Sequence, residues 1–427
     1  MILAYRVLTT LLYPFLFLFI YYRKIIKKED PARFKEKVLV SHFNVSKKEN
    51  SKLIWFHAAS IGEFKSIIPV INQLNINHKN LNFLVTTSTL SSGKLAEVEL
   101  KKINNVNHRY FPYDVPFLID KFLSLWKPHN IFLVDSEIWP NLILKAKEHK
   151  IPIALINARL TLRSFKKWKF FSKAAKKIFG KIDLFICSNS ETQSYLKKFN
   201  LQNIYFKGNI KFIEPIDEKK IKNVNEEVLI NKKFWFAAST HEEEDIFCLN
   251  THMKLKEEFE DIITIIAPRH IERSKKIKSL SEKFKLNTQI INKNENILEN
   301  KNVIIVNYFG ALTDFFKYAK SVFIGKSMIK KLKNEGGQNP IEAAKLDCKI
   351  YHGPYVNNFK DVYKILEINN ISKKIGDYKE LSAYLALDLK NSQKSNNENK
   401  NLINELGQKT LTDTMFLIDN FINDKNI

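Results

Sequence analysis

Short, continuous apolar runs separated by helix-patterned stretches recur through most of this chain, and that alternation leaves few folds open. Phe83–Thr86, Ile131–Val134, Ile153–Ile156, Leu184–Cys187 and Ile204–Phe206 read as strands buried on both faces, because they are unbroken instead of alternating. Phe117–Leu125, Leu142–Lys147, Phe165–Phe179 and Glu191–Phe199 carry the helical spacing expected of crossovers. The grammar then restarts. Phe234–Ala238, Ile262–Ala267, Val303–Val306, Val322–Gly325 and Lys349–Tyr351 are the next strands, with Glu243–Phe259, Glu272–Phe284, Leu312–Tyr318 and Pro340–Leu346 as helices. Strand–helix alternation requires parallel sheets, so the expected fold class is α/β, two doubly wound Rossmann-like domains. Their bounds are 31–210 and 211–390, with a linker near Gly208–Pro215. The ligand site is expected in a cleft between facing strand ends.

Residues 1–30 fall outside this grammar. Val7–Tyr22, VLTTLLYPFLFLFIYY, is strongly apolar and uncharged. As one helix, counted from Met1 with Arg6 snorkelling, it spans about 33 Å, enough to cross a bilayer. YYRKIIKK follows where a signal peptide has its cleavage site, so an uncleaved anchor is expected. Arg23, Lys24, Lys27 and Lys28 place the body on the cytoplasmic side. An interfacial helix or monotopic hairpin is the alternative. Lys+Arg 69 against Asp+Glu 45, a net charge of +24, calls for a polyanionic partner: nucleic acid, an anionic membrane or a phosphorylated substrate. Phe165–Phe179 is the most basic stretch, with Lys166, Lys167, Lys169, Lys173, Lys176 and Lys177. A solvated helix face is preferred there over a lipid-phosphate contact. Cys187, Cys248 and Cys348 lack metal-ligand spacing and read as buried thiols. Residues 391–427 comprise a polar loop, Asn391–Asn401, and an amphipathic helix, Leu402–Phe421, whose docking site the sequence leaves open.

Chemistry-bearing residues collect where strands run into helices. Leu53–Leu74 reads as strand, tight loop and helix, placing Glu63 at the mouth of a βα unit. A glutamate in a first helical turn is ordinarily a dipole-compatible surface residue. Asp135-Ser136-Glu137 ends a strand expected beside it, and Glu137 alone reads equally as a cap of the Pro140 helix. Ala237–Glu242 and Ala267–His270 end two strands of the second domain; Ser239 or Thr240 suits N-capping, and Arg269 suits a bidentate grip on phosphate. Glu335–Glu342, EGGQNPIE, has paired glycines and a proline before a helix, the pattern of a backbone phosphate site or of a simple turn. No GxxxxGK[ST] or GxGxxG stands at a strand-to-helix junction, which argues against a P-loop NTPase or a dinucleotide dehydrogenase.

Taken together, HAASIGE, SEIWPN, NARLTLRS, GNIKF, AASTHEEE, APRH and GGQNPIEAA, in this order, resemble the 3-deoxy-D-manno-octulosonic acid (Kdo) transferases of lipopolysaccharide synthesis over about residues 1–370. The resemblance implies a GT-B glycosyltransferase on the cytoplasmic face of a bacterial inner membrane. It would move Kdo from CMP-Kdo to an anionic glycolipid, a lipid A precursor (lipid IVA), inverting the anomeric carbon with no cofactor or metal. By position, Glu63 matches the general base, and Glu137 and Lys211 match groups that stabilise the transition state. Pro268, Arg269, Gly310, Ala311, Leu312, Asn339, Pro340, Ile341 and Glu342 match the nucleotide site. A carboxylate at a helix start has its charged form stabilised, so Glu63 is expected to be a base of ordinary strength. The chain departs from the family pattern at Ala311, where a glutamate is usual, at Lys326, where a second glycine is usual, and at Gln338, where a histidine is usual. Other readings are a membrane-associated GT-B enzyme using another sugar nucleotide, a paralogue without activity, and a basic nucleic-acid-binding protein. The last requires a charged face with a recognition motif, whereas these lysines are spread along the chain.

Overall fold

A computed structural model describes residues 1–45, 51–391 and 398–423. The chain divides into two compact units, Met1–Glu214 with Gly407–Ile427, and Pro215–Leu406. Among the described residues the first unit holds β1 (Lys52–His57), β2 (Leu81–Thr87), β3 (Val106–Tyr110), β4 (Asn130–Val134), β5 (Ile153–Ala158), β6 (Leu184–Cys187) and β7 (Ile204–Phe206). They form one parallel sheet in the order β3-β2-β1-β4-β5-β6-β7. The second unit holds β8 (Phe234–Thr240), β9 (Ile263–Pro268), β10 (Thr288–Ile291), β11 (Val303–Val306), β12 (Ser321–Ile324), β13 (Lys349–His352) and β14 (Ser372–Lys374). Their sheet, also parallel, runs β10-β11-β9-β8-β12-β13-β14. Each chain path leaves its first strand in one direction and returns to the other side. The switch points therefore lie between β1 and β4 and between β8 and β12, where such sheets open a crevice.

Because each interior strand is covered on both faces, neighbouring residues enter different cores. Leu53 and Trp55 pack with the Pro116–Trp126 and Pro140–Glu148 helices, while Ile54 and Phe56 pack with the Ile61–Asn77 helix. This explains the unbroken apolar runs. The strands β3, β10 and β14 lack such runs and were not expected; each is a sheet edge, and VNHRY is only partly buried.

The C-terminal helix, Glu398–Ile422, lays Met415, Leu417, Ile418, Phe421 and Ile422 onto the core that contains Ile54, Phe56 and Phe132. Each such side chain contributes about 1.5–3 kcal/mol on burial. Gly407 permits this approach, since a Cβ there would meet the carbonyl of Phe212. Of the expected polar loop, residues 392–397 lie outside the described residues.

The expected single N-terminal helix is corrected by the structure. Ile2–Leu11 and Tyr13–Ile25 are separate helices bent by 58°, and no single described helix is long and apolar enough to cross a membrane. Pro14 is the cause: it sits in the first turn of the second helix, lacks an N–H, and its ring crowds the carbonyl one turn back, so the ladder breaks at Leu12. The pair also rests on the body. Tyr5 Oη donates to Asp114 Oδ2 (3.0 Å), Asn141 Nδ2 to Thr9 Oγ1 (3.2 Å), and Tyr13 Oη to the Val38 carbonyl (2.8 Å), while Ile20 is fully buried.

Candidate active site

At the first switch point, β1 ends at His57 and the chain turns through Ala58 and Ala59 into the Ile61–Asn77 helix, N-capped by Ser60. Ser60 and Glu63 form a variant of the capping box: the Glu63 carboxylate accepts from Ala59 N–H (2.8 Å) and Ser60 Oγ (2.9 Å). Those bonds and the helix start favour the charged form, as expected. They are outweighed. Burial first, then the charges of Asp135 and Glu137, raise the Glu63 pKa above the ordinary carboxylate value, against the expectation of ordinary strength. The cap was legible in the sequence as Ser60-x-x-Glu63; the raised pKa was not, because it depends on β4.

From β4 the chain delivers two carboxylates in different settings. Asp135, buried and in the left-handed region at φ 55°, accepts from Lys211 Nζ (3.1 Å) and from Asn157 Nδ2. Lys211 is thus held by Asp135, a partner the sequence did not assign to it. Glu137 accepts from Trp139 Nε1 (2.8 Å) and from His57 Nε2 (3.3 Å) through one oxygen, Oε2. His57 is fully buried and stacks on Phe111 at 3.9 Å. His57 Nδ1 lies 2.9 Å from Thr86 Oγ1, which accepts from Trp55 Nε1 (2.9 Å), and 3.2 Å from the Thr86 carbonyl. The Glu137 carboxylate is an acceptor, so Nε2 carries the proton in that contact. His57 and Asp135 therefore join the residues expected at this site; His57 was visible as the last residue of an apolar run. The assembly offers a desolvated base, Glu63, beside a fixed acid–lysine pair and an oriented second carboxylate.

In the second unit the crevice between β8 and β12 is already filled. Glu244, buried at the start of the Glu244–Lys256 helix, accepts from the N–H groups of His241 (2.9 Å), Lys326 (2.7 Å), Ser327 (2.9 Å) and Met328 (3.0 Å). Gly325 allows this, since a Cβ there would strike the backbone of Ser239 and Thr240. Lys326 takes a left-handed φ of 59°, the backbone shape a glycine adopts without strain.

Around the plug stand basic side chains. Arg269 follows β9, its N–H bonded to the Thr240 carbonyl (2.9 Å), with an exposed guanidinium that makes no hydrogen bond or ion pair among the described residues. The His241 and His270 rings lie 5.7 Å apart. Burial, then Lys326, His270, Arg273 and Arg269, push His241 down to about 4. Gln338, one of the departures, donates to His241 Nε2 (3.1 Å). Arg273 is tied to Asp245.

At the expected backbone phosphate loop the structure shows close packing of the chain. Gly337 N–H already bonds the Lys326 carbonyl (2.7 Å), and a Cβ on Gly336 or Gly337 would meet Tyr355 or Val356. These glycines permit close packing. Asn339 Oδ1 accepts from Ile341 N–H (3.1 Å), Pro340 is buried, and Glu342 lies in the first turn of a helix, Ile341–Lys345, too short to build much of a dipole. Gly310, Ala311 and Leu312 follow β11, with Gly310 at φ 83° and Ala311 buried. Among the described residues no group of three or more His, Cys, Asp or Glu is placed to hold a metal.

The two-sheet α/β architecture is shared with a putative UDP-N-acetylglucosamine 2-epimerase from Listeria monocytogenes (TM-score 0.60, 12% identity, 88% of this chain and 98% of that one), and defines a GT-B-like protein. At that identity the likeness establishes the fold alone. Residues 32–214 match the family described as 3-Deoxy-D-manno-octulosonic-acid transferase (kdotransferase). A 3-deoxy-D-manno-octulosonic acid transferase from Rickettsia bellii is 31% identical over 98% of this chain and 99% of its own. A probable mitochondrial one from Arabidopsis thaliana is 31% identical over 86% and 82%. The chain belongs to the Kdo transferase family and is a glycosyltransferase.

Proposed function

We propose that this enzyme transfers Kdo from CMP-Kdo to a phosphorylated glycolipid of the lipid IVA kind, with Glu63 as general base. The observation that carries the reading is the environment of Glu63. A carboxylate at a switch point, desolvated and facing Asp135 and Glu137, holds a proton more readily than an ordinary glutamate. Glu63 takes the proton of the acceptor hydroxyl as that oxygen bonds to the anomeric carbon of Kdo; the bond to the cytidylate oxygen breaks from the opposite side, and CMP leaves with the electron pair. Lys211, fixed by Asp135, and Glu137, oriented by His57 and Trp139, stabilise charge as it develops. In the second unit Arg269, His241, His270 and Lys326 receive the donor phosphate, so the leaving charge is met by side chains and no metal is required.

The N-terminal pair lies along the inner-membrane interface on the cytoplasmic side, in place of a crossing helix. Leu3, Leu11, Phe15, Leu18 and Ile25 are exposed on a bent pair whose last turn holds Arg23 and Lys24, with Lys27 and Lys28 just after it, an interfacial pattern. The test of the chemistry is incubation of the purified chain with CMP-Kdo and a tetraacylated, bis-phosphorylated disaccharide lipid. The expected result is CMP release with a lipid mass gain of one or more Kdo; neither appearing sinks the reading. Thermal shifts with CMP exceeding those with UDP support the donor, and the reverse order assigns another sugar nucleotide.

A further inference from the structure

Two helices of the first unit, Leu162–Phe170 and Ser172–Phe179, meet at an elbow whose tip is Phe170 and Phe171. Phe170 is 83% exposed and Phe171 47%, with ring centroids 4.9 Å apart at 88°. The elbow is held from beneath: Phe165 stacks on Tyr195 at 4.3 Å, and Trp168 packs edge-on against Phe179 at 5.0 Å. The two tip rings are therefore displayed on a fixed support. From Thr161 to Ile182 the chain has no Asp or Glu. Lys166, Lys167, Lys169, Lys173, Lys176 and Lys177 are all exposed, and none forms an ion pair among the described residues.

A solvated helix face, the preferred sequence reading, explains the lysines and leaves the phenylalanines unexplained. Adjacent exposed aromatics within an unpaired cationic collar match a surface that is apolar just below a layer of negative charge. Position adds to this. Phe165, Phe179 and Trp168 join the same core cluster as Ile2, Tyr13 and Leu16 of the N-terminal helices, so elbow and helices cover the same side of the sheet.

We propose that the Phe170–Phe171 elbow is a second membrane contact, inserting its two rings at the interface of an anionic bilayer while the lysines bind lipid phosphates. With the N-terminal pair it gives the first unit two separated attachments, which fix its tilt on the membrane. The assignment does not depend on which sugar is transferred.

The three native cysteines are buried, so Ser172→Cys can be labelled selectively with an environment-sensitive fluorophore in the full chain. Phosphatidylglycerol-rich vesicles should blue-shift the label at 172 and leave one at Asn72→Cys, on the opposite side of the sheet, unchanged; high salt should diminish the shift. Phe170→Ser/Phe171→Ser should weaken vesicle partitioning about tenfold, and Lys166→Glu/Lys169→Glu/Lys173→Glu about a hundredfold. Both variants should keep the wild-type melting temperature and the wild-type rate, if any, on detergent-dispersed acceptor. Partitioning is read without turnover, so failure of the Kdo reading leaves this result interpretable. No shift at 172, equal shifts at 172 and 72, RNA binding in place of vesicle binding, or a dimer that buries the label would each overturn the proposal.

Discussion

Replacing Glu63 by Gln separates its two duties, closing the helix cap and accepting a proton. The wild-type carboxylate receives the Ala59 N–H and the Ser60 hydroxyl on different oxygens, at 2.8 and 2.9 Å. A glutamine amide can offer its oxygen to only one of these donors. Facing the second with an NH2 group costs about 1–3 kcal/mol. Removing a negative charge from the neighbourhood of Asp135 and Glu137 offsets part of that cost, leaving a loss of about 1 kcal/mol, or about 2–4 °C in melting temperature. The offset depends on pH. Since the folded pKa of Glu63 is raised, the native state keeps its proton longer than the unfolded chain, and wild-type stability declines as pH rises from the ordinary carboxylate value through the raised one. The variant escapes that decline, so its deficit in melting temperature should shrink between pH 4 and 7. Turnover should fall about 10²–10⁴-fold on the alkaline side of the profile, the usual worth of a general base, with the gap narrowing where the wild-type carboxyl is itself protonated. Ser60→Ala is the control: it loosens the cap yet leaves the carboxylate, and by removing a bond that lowers the Glu63 pKa it should move the acid limb of the rate profile to higher pH while preserving turnover on the alkaline side. Near-normal turnover by Glu63→Gln, with only the stability change, would assign Glu63 to the cap alone.

Trp139→Phe keeps the ring and removes one of the two donors to Glu137, which should lower kcat about 10–100-fold with little change in acceptor KM, read by steady-state kinetics. A double-mutant cycle of Lys211→Ala with Asp135→Asn should show about 1–3 kcal/mol of coupling in urea unfolding; simple additivity would deny the pair. Because His241 sits at about 4 when folded and near 6.5 when unfolded, its share of stability is lost as pH falls from about 6.5 towards 4. Phosphate binding favours its protonation, so CMP affinity should rise as pH drops from 7 to 5, measured calorimetrically, and His241→Gln should flatten that slope. Gly407→Ala forces a methyl against the Phe212 carbonyl and should destabilise the chain by about 1–3 kcal/mol in thermal unfolding without altering the kcat of the folded fraction.

What the sequence conveyed follows from where each signal is written. Interior strands announce themselves because both faces are buried, whereas β3, β10 and β14 sit at edges and spell mixed sequences such as VNHRY. Local chemistry was equally legible: Pro14 stands in the apolar run and accounts for the 58° bend, and Ser60-x-x-Glu63 spells a helix cap. Tertiary pairings were not. Lys211 meets Asp135 from 76 positions away, and Glu137 meets His57 from 80, with no local pattern to declare either. The paired glycines at 336 and 337 read two ways because close packing and anion binding both demand a missing Cβ; the contacts to Tyr355 and Val356 show the packing, which no local pattern announces.

The same topology has been put to two uses in one chain. Both switch points receive a glutamate from the start of the helix after the first strand, Glu63 after β1 and Glu244 after β8. Glu244 accepts four backbone N–H groups, three of them from the 326–328 turn, so that ready-made anion nest is closed by the protein's own carboxylate. The basic side chains Arg269, His241, His270 and Lys326 gather beside this closed nest. Glu63 differs in its surroundings more than in its position: it has two local donors instead of four, and two acids across the crevice where Glu244 has backbone N–H groups. One glutamate is spent on structure, and the other is left with a proton affinity suited to chemistry.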